Sequence, residues 1–360
     1  MDDKKTAKAG AKITNSDKNK SAGASSGKKL TFEIILPVIL ILSVFVSLLF
    51  GPEKISLKVL SGKGDYFENI ILLNLRLPRT LLVLITGILL GGSGAVFQMF
   101  FRNPLAEPGI MGISSGATLG AVIASVSMTA TGFSKLFSAT VFKFISPVNI
   151  FAFIGALCSG LLVTFLAFSR KGKSASIMLL LCGTALGTLY SSVSSIILLS
   201  SDKELHSIYT WILGSFNGRG WNELIFILPA CILSVILMFT AVPPLDLLSG
   251  GETSAKSLGV EVDKLRTLVL ISGSLAVSAA VCAGGTISFV GLIAPHITRK
   301  LFGPKAKTLL PFSMILGAVL LLISDTFARI CIAPGELPSG IITAILGVPF
   351  FLFLCLGKKD

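Results

Sequence analysis

The sequence predicts an all-α polytopic membrane protein, on three observations. Across 360 residues it is 52% hydrophobic and only 14% charged, with mean hydropathy +0.86. Soluble domains carry about 25% charged residues. The apolar residues also gather in continuous windows of about 17–25, the length that crosses a bilayer core as helix. Finally, these windows do not alternate in polarity, which a membrane β-barrel would require.

Residues 1–29 hold eight lysines among Ala, Ser and Gly, a composition expected to form a disordered tail. It is too long and polar for a signal-peptide n-region, and no small-x-small site closes the apolar run after it. The domain organisation is therefore a Lys-rich cytoplasmic tail at 1–29 and a membrane domain at 30–357. Ten spans are expected, at about 30–50, 78–101, 111–130, 149–169, 176–200, 222–242, 266–285, 288–303, 308–330 and 339–356. The second begins after an Arg76-Leu77-Pro78-Arg79 turn and breaks at Arg102-Asn103-Pro104-Leu105-Ala106-Glu107-Pro108. Neither proline of that break suits a helix interior, so it reads as a rigid turn between two helices. Irregular backbone at that depth is tolerated only where protein, water or the membrane surface covers it.

Ten spans put both termini on one side. With both termini cytoplasmic, 21 of the 31 basic residues fall inside, in line with the positive-inside rule. Arg76, Arg79 and Arg329 then lie outside, where that rule disfavours them, which points to a function. The charge of +13 is spread over the tail and short loops, so it reads as orientation and not as nucleic-acid binding. Gly87/Gly91, Gly112/Gly116/Gly120 and Gly183/Gly187 recur at four-residue spacing, which allows close helix approach within one chain or between two.

Two connections exceed the minimum. Residues 201–221, outside, contain a short amphipathic piece followed by glycine turn signals. In residues 243–266, inside, Pro243-Pro244 should stop the sixth span. Thr253 or Ser254 should cap a short helix ending at Gly259, with a second near Val262–Arg266. Such a pair makes a docking platform for a soluble protein, or an ordinary surface loop.

The chain has no GxxxxGK[ST] loop and only two histidines, His206 and His296, so no phosphate-binding loop or enzyme signature can be assembled. His296, after Pro295, reads as a residue satisfying a helix break. The six cysteines are scattered through apolar segments and form no CxxC, so neither a disulfide framework nor a zinc site is indicated. Glu107, Asp325, Arg329 and Glu336 are the ionisable residues near membrane depth, and such residues are functional candidates. Asp325 and Arg329, at i and i+4, can pair on one helix face. An ion-coupled secondary transporter or channel, the alternative reading, needs free acids in mid-span. Asp325 is the sole candidate.

Several ordered motifs resemble the permease subunits of type II ABC importers for iron-siderophore, haem and cobalamin uptake. They are Arg76-Leu77-Pro78-Arg79, Gly94-Ala95-Val96-Phe97-Gln98, Asn103-Pro104-Leu105-Ala106-Glu107-Pro108-Gly109, Trp211 with Gly214-Ser215, and Ala255 with Leu258-Gly259-Val260. They continue with Gly291-Leu292-Ile293-Ala294-Pro295-His296, Asp325 with Ala328-Arg329, Glu336-Leu337-Pro338 and Gly347-Val348-Pro349-Phe350. The resemblance covers about residues 32–357 and implies a non-enzymatic transport subunit of the plasma or inner membrane. It implies a homodimer around a central path, two separate ABC ATPase subunits carrying ATP and Mg, and an extracytoplasmic substrate-binding protein. The cargo it implies is an iron chelate, a ferric siderophore first, haem or cobalamin otherwise. Arg76, Arg79 and Arg329 would receive acids of the binding protein, with Arg329 the weaker candidate because Asp325 can hold it. Asn103, Leu105 and Ser176 would form the gate, although the family more commonly has two small polar residues where Ala175-Ser176 stands. Glu252, Ala255, Leu258 and Gly259 would couple to the ATPase.

Overall fold

The computed structural model describes residues 32–53, 55–56, 58–59, 64–129, 146–168, 175–199 and 205–356. The Lys-rich tail at 1–29 lies outside the described residues. Among them the secondary structure is helical. The helices are α1 Phe32–Leu49, α2 Tyr66–Phe100, α3 Ile113–Thr129, α4 Pro147–Phe168, α5 Ala175–Leu199, α6 Leu205–Ile212 and α7 Trp221–Thr240. They continue as α8 Val242–Leu248, α9 Glu252–Ser257, α10 Val262–Gly284, α11 Val290–Phe302, α12 Ala306–Ile330 and α13 Ser339–Leu356. Eight of them are long and apolar enough to cross a membrane, and α3 and α11 are shorter. Each of these ten coincides with one of the expected spans.

The second span departs most from expectation. It starts at Tyr66, not at residue 78, and runs 35 residues without a turn at Arg76-Leu77-Pro78-Arg79. Asp65 caps it by accepting from the Tyr66 N–H, while the Glu68 carboxylate accepts from the Asp65 N–H, a reciprocal capping box. Residues Ile71–Arg76 form a π-helical stretch, and Pro78 follows in the first turn of regular α-helix. The wider π turn accommodates the proline that a regular interior would not. At 1.5 Å per residue α2 is about 52 Å long, well beyond the roughly 30 Å hydrocarbon core.

The sixth span ends at Thr240, and Pro243-Pro244 sit in the first turn of α8, where a missing N–H costs nothing. Gly251, at φ +110°, is the N-cap of α9, so Thr253 and Ser254 lie within that helix. The expected second short helix at Val262–Arg266 is the first turn of the 23-residue α10. Pro295 does not break α11, which runs through it.

The core consists of α2 and α10, each 78% buried across its apolar window, with α12 beside them. Close packing comes from the glycines. A Cβ at Gly91 would stand 2.2 Å from the Ser313 carbonyl oxygen, and one at Gly94 would stand 1.9 Å from that of Gly291. Gly116 and Gly155 bring α3 and α4 together in the same way. The four-residue glycine spacing thus serves packing within the chain, where lipid gives apolar side chains no preference for one another. By contrast α1 and α5 are 17% buried and α7 and α13 are 28% buried, which leaves broad apolar faces outward.

Candidate functional site

Two polar sites stand at opposite ends of α2, separated by 24 residues or about 36 Å of helix. The first is a charged cluster where α1, α2, α12 and α13 meet. The second is the turn after α2 with the surface helices α8 and α9.

In the charged cluster Asp325 is fully buried. Its carboxylate accepts from Arg79 Nε at 3.2 Å and Nη2 at 2.9 Å, and from the Ser339 hydroxyl at 2.7 Å. Arg329 Nε lies 3.1 Å from the same carboxylate. The remaining Arg79 nitrogen, Nη1, donates to Glu336 at 2.7 Å. Arg329 Nη2 donates to Ser47 at its carbonyl and hydroxyl and to the Thr326 hydroxyl. Arg76 donates to the carbonyls of Leu48, Leu49 and Glu53, the turn that ends α1. All three arginines are under a tenth exposed. Asp325 and Glu336 offset two of these three charges inside the chain, and the third, on Arg76, is met by carbonyl oxygens. They still line a cavity of about 370 Å³, together with Arg219 and Glu336. A second cavity of about 470 Å³ shares Asn217, Gly218, Arg219 and Glu336 with it.

At the other end, the turn after α2 is held by local bonds. Arg102 adopts φ +48°, and the Asn103 N–H reaches back to the Gln98 carbonyl at 3.2 Å. The Asn103 side chain accepts from the Leu105 N–H at 3.0 Å, the Asx pattern that tightens turns. Pro108–Met111 form one 3₁₀ turn, which Gly112 ends at φ +73°. Asn103 is exposed and Leu105 half-buried, with Leu105 lining a cavity of about 380 Å³ beside Glu107, Phe289 and Phe351. The Glu107 carboxylate accepts from the Phe289 N–H at 2.5 Å and so caps α11 from across the chain. Gln98 secures the same helix, donating weakly to the carbonyls of Gly291 and Leu292 and accepting from Arg299 at 3.1 Å. Neither role follows from sequence spacing, because the partners are about 180–200 residues away. Ser176 lies in the first turn of α5, and its side chain is outside the described residues.

Among the expected coupling residues, Ala255 is wholly buried and packs α9 down. Leu258 is 64% exposed, and Gly259 turns the chain at φ +85°. Glu252 is exposed and pairs with Lys256 at 2.9 Å. The hydrogen bond from Lys256 holds the Glu252 carboxyl below its usual range, and the charges of Arg266 and Arg102 add to this. Arg102 belongs to the turn after α2, and α8, at the start of the platform, packs against α2 itself. Asp246 in α8, which the sequence reading did not single out, accepts from the Ala306 N–H at 2.6 Å and ties the platform to α12. His296 rests edge-on to Phe350, with no hydrogen-bond partner for either ring nitrogen among the described residues, and it satisfies no helix break.

This arrangement is a glycine-packed helical bundle with a turn and surface helices at one end, and the comparisons with known proteins give its class. The model of the FecCD transport family matches residues 39–357, and the chain belongs to that family. The Fe(3+)-citrate import system permease protein YfmD of Bacillus subtilis is 35% identical, over 93% of this chain and 97% of its own length. The vitamin B12 import system permease protein BtuC of Vibrio vulnificus is 36% identical, over 92% and 95%. A solved inward-facing conformation of a metal-chelate type ABC transporter superposes with TM-score 0.78 at 30% identity, covering 91% of this chain and 99% of that one. The protein is a permease subunit of an ATP-binding-cassette importer.

Proposed function

We propose that this permease carries an iron chelate inward by alternating access, as a homodimer driven by two separate ATPase subunits. A ferric siderophore is the first candidate cargo, with haem and cobalamin next. The observation that carries the reading is the packing of α8, at the start of the surface platform, against α2, whose end bears the turn. An ATPase moving the platform would move the Asn103–Leu105 turn with it, and Leu105 would open or occlude the path. Ser176 on a neighbouring helix start would complete the gate. Glu252, Leu258 and Gly259 would meet the ATPase, with Ala255 anchoring their helix. At the other end the cavities around Arg76, Arg79 and Arg329 would receive an extracytoplasmic binding protein. Both termini are then cytoplasmic, in the cell membrane. The ion-coupled alternative is disfavoured because Asp325, the acid it would need, is held by two guanidinium groups and a hydroxyl. Iron-citrate and vitamin B12 relatives are almost equally similar, so identity does not choose the cargo. The test is to reconstitute the permease with its ATPase and binding protein. Uptake of ferric siderophores, haem and cobalamin would then be compared. ATP-dependent uptake of one of them supports the reading, and uptake driven by an ion gradient without the ATPase overturns it.

A further inference from the structure

Among the described residues two that are not glycine adopt left-handed backbone, Arg102 at φ +48° and Phe289 at φ +68°. Such a conformation is rare for a bulky side chain, and residues held in it collect at switch regions. The two lie far apart in sequence, yet one turn holds both. Arg102 opens the turn after α2, and Glu107, near its end, accepts from the Phe289 N–H. A hydrogen bond to a carboxylate is roughly twice as strong as a neutral one.

Phe289 is gripped from two further sides. Its carbonyl accepts from the Leu292 and Ile293 N–H groups at 3.1 and 2.8 Å, which opens α11. Its side chain occupies a notch in α13, because a Cβ at Gly347 would stand 2.1 Å from Phe289 Cγ. Pro108, next to Glu107, backs onto the same helix start, where a Cβ at Gly291 would stand 3.1 Å from Pro108 Cδ. Phe289 thus takes its backbone from α11, a hydrogen bond from the turn and its packing from α13. The adjoining cavity of about 380 Å³ is lined by Leu105, Glu107, Phe289 and Phe351 of α13, which leaves the turn and α13 room to shift against each other.

We propose that Glu107 is a positioning residue for the inner gate. Its bond to Phe289 latches the turn that carries Leu105 to α13, through the Phe289 side chain in the Gly347 notch. With the bond in place, turn and α13 move together. Without it Phe289 relaxes to ordinary backbone, its ring leaves the notch, and Leu105 loses its fixed place in the path. The latch rests on the reading of Leu105 as a gate within the importer and names the residues that set its position.

The experiment uses the full permease with its ATPase in proteoliposomes and measures efflux of trapped potassium without ATP. Glu107→Met, which keeps the side-chain length but not the acceptor, should leak as fast as Leu105→Ala. Glu107→Gln still offers an oxygen to the Phe289 N–H and should stay at the wild-type rate. Gly347→Ala, whose methyl group meets the Phe289 ring, should leak as well, and adding Phe289→Leu should reverse part of that leak. A merely structural role would lower the melting temperature of Glu107→Met without opening the path. Wild-type leak in Glu107→Met of normal melting temperature overturns the latch, and so does equal leak in Glu107→Gln and Glu107→Met. If Glu107→Met does not accumulate in the membrane, Gly347→Ala decides, and a tight Gly347→Ala overturns the latch. A tight Leu105→Ala removes the gate and the latch with it. The leak assay needs neither cargo nor binding protein, so loss of the latch leaves the importer reading standing. That reading fails separately, if the wild-type complex shows no ATP-dependent uptake.

Discussion

Asp325 holds the charged cluster together, since one carboxylate serves two arginines and a serine. Removing one member of a buried ion pair strands its partner and costs about 3–5 kcal/mol. Asp325→Ala should therefore lower the melting temperature of the detergent-purified protein sharply. A double change of Asp325→Leu with Arg329→Met, which also removes a stranded charge, should recover part of the loss. If Asp325→Ala melts like wild type, the cluster is not structural. Gly94 makes a second residue-level case. Its missing side chain lets α2 touch the Gly291 backbone, so Gly94→Val has no space. That variant should fail to accumulate in the membrane, whereas Gly218→Ala, which meets no atom within 4 Å, should pay only the backbone cost of φ +69° and accumulate.

At the scale of elements, the turn after α2 and the α9 platform should behave as one unit. Leu105 is held on a backbone fixed by Pro104, the Asn103 side chain and Pro108. Leu105→Ala should raise leak of small solutes from proteoliposomes, and Leu105→Met, similar in volume, should change little. Equal leak in both variants would remove Leu105 from the gate. Gly259 adopts a backbone that proline cannot reach. Gly259→Pro with Glu252→Lys should therefore leave ATP hydrolysis in place while uptake falls. Normal uptake by that double variant would dissociate the platform from coupling. The end of α2 at Asn-Pro-Leu is legible in the chain, whereas its start, expected at residue 78, lies at Tyr66 behind the Asp65-x-x-Glu68 capping pattern. The continuous helix through Pro78 is not legible, because a π turn leaves no composition signal.

For the whole molecule, the outward apolar faces of α1, α5, α7 and α13 exceed what this chain buries by itself. Lipid covers some of that surface, and a second copy should cover the rest. Native mass spectrometry of the reconstituted complex should thus show two permease chains with two ATPase chains. A single permease chain per complex would rule out the homodimer. Docking of the binding protein should weaken from 50 to 500 mM salt, roughly, because screening shortens the reach of exposed charge. Salt-independent docking would place it on an apolar surface instead. By itself the sequence determined the membrane class, the apolar helical segments and the family resemblance. Those properties reside in contiguous apolar windows and local motifs, which a linear reading captures. The tertiary structure decided which charges are satisfied and which are available. Arg79 meets Asp325 across 246 positions, Glu107 meets Phe289 across 182, and Arg219 meets Asn149 across 70. No local pattern encodes such pairings, since they arise only when helix packing brings distant side chains into hydrogen-bonding range.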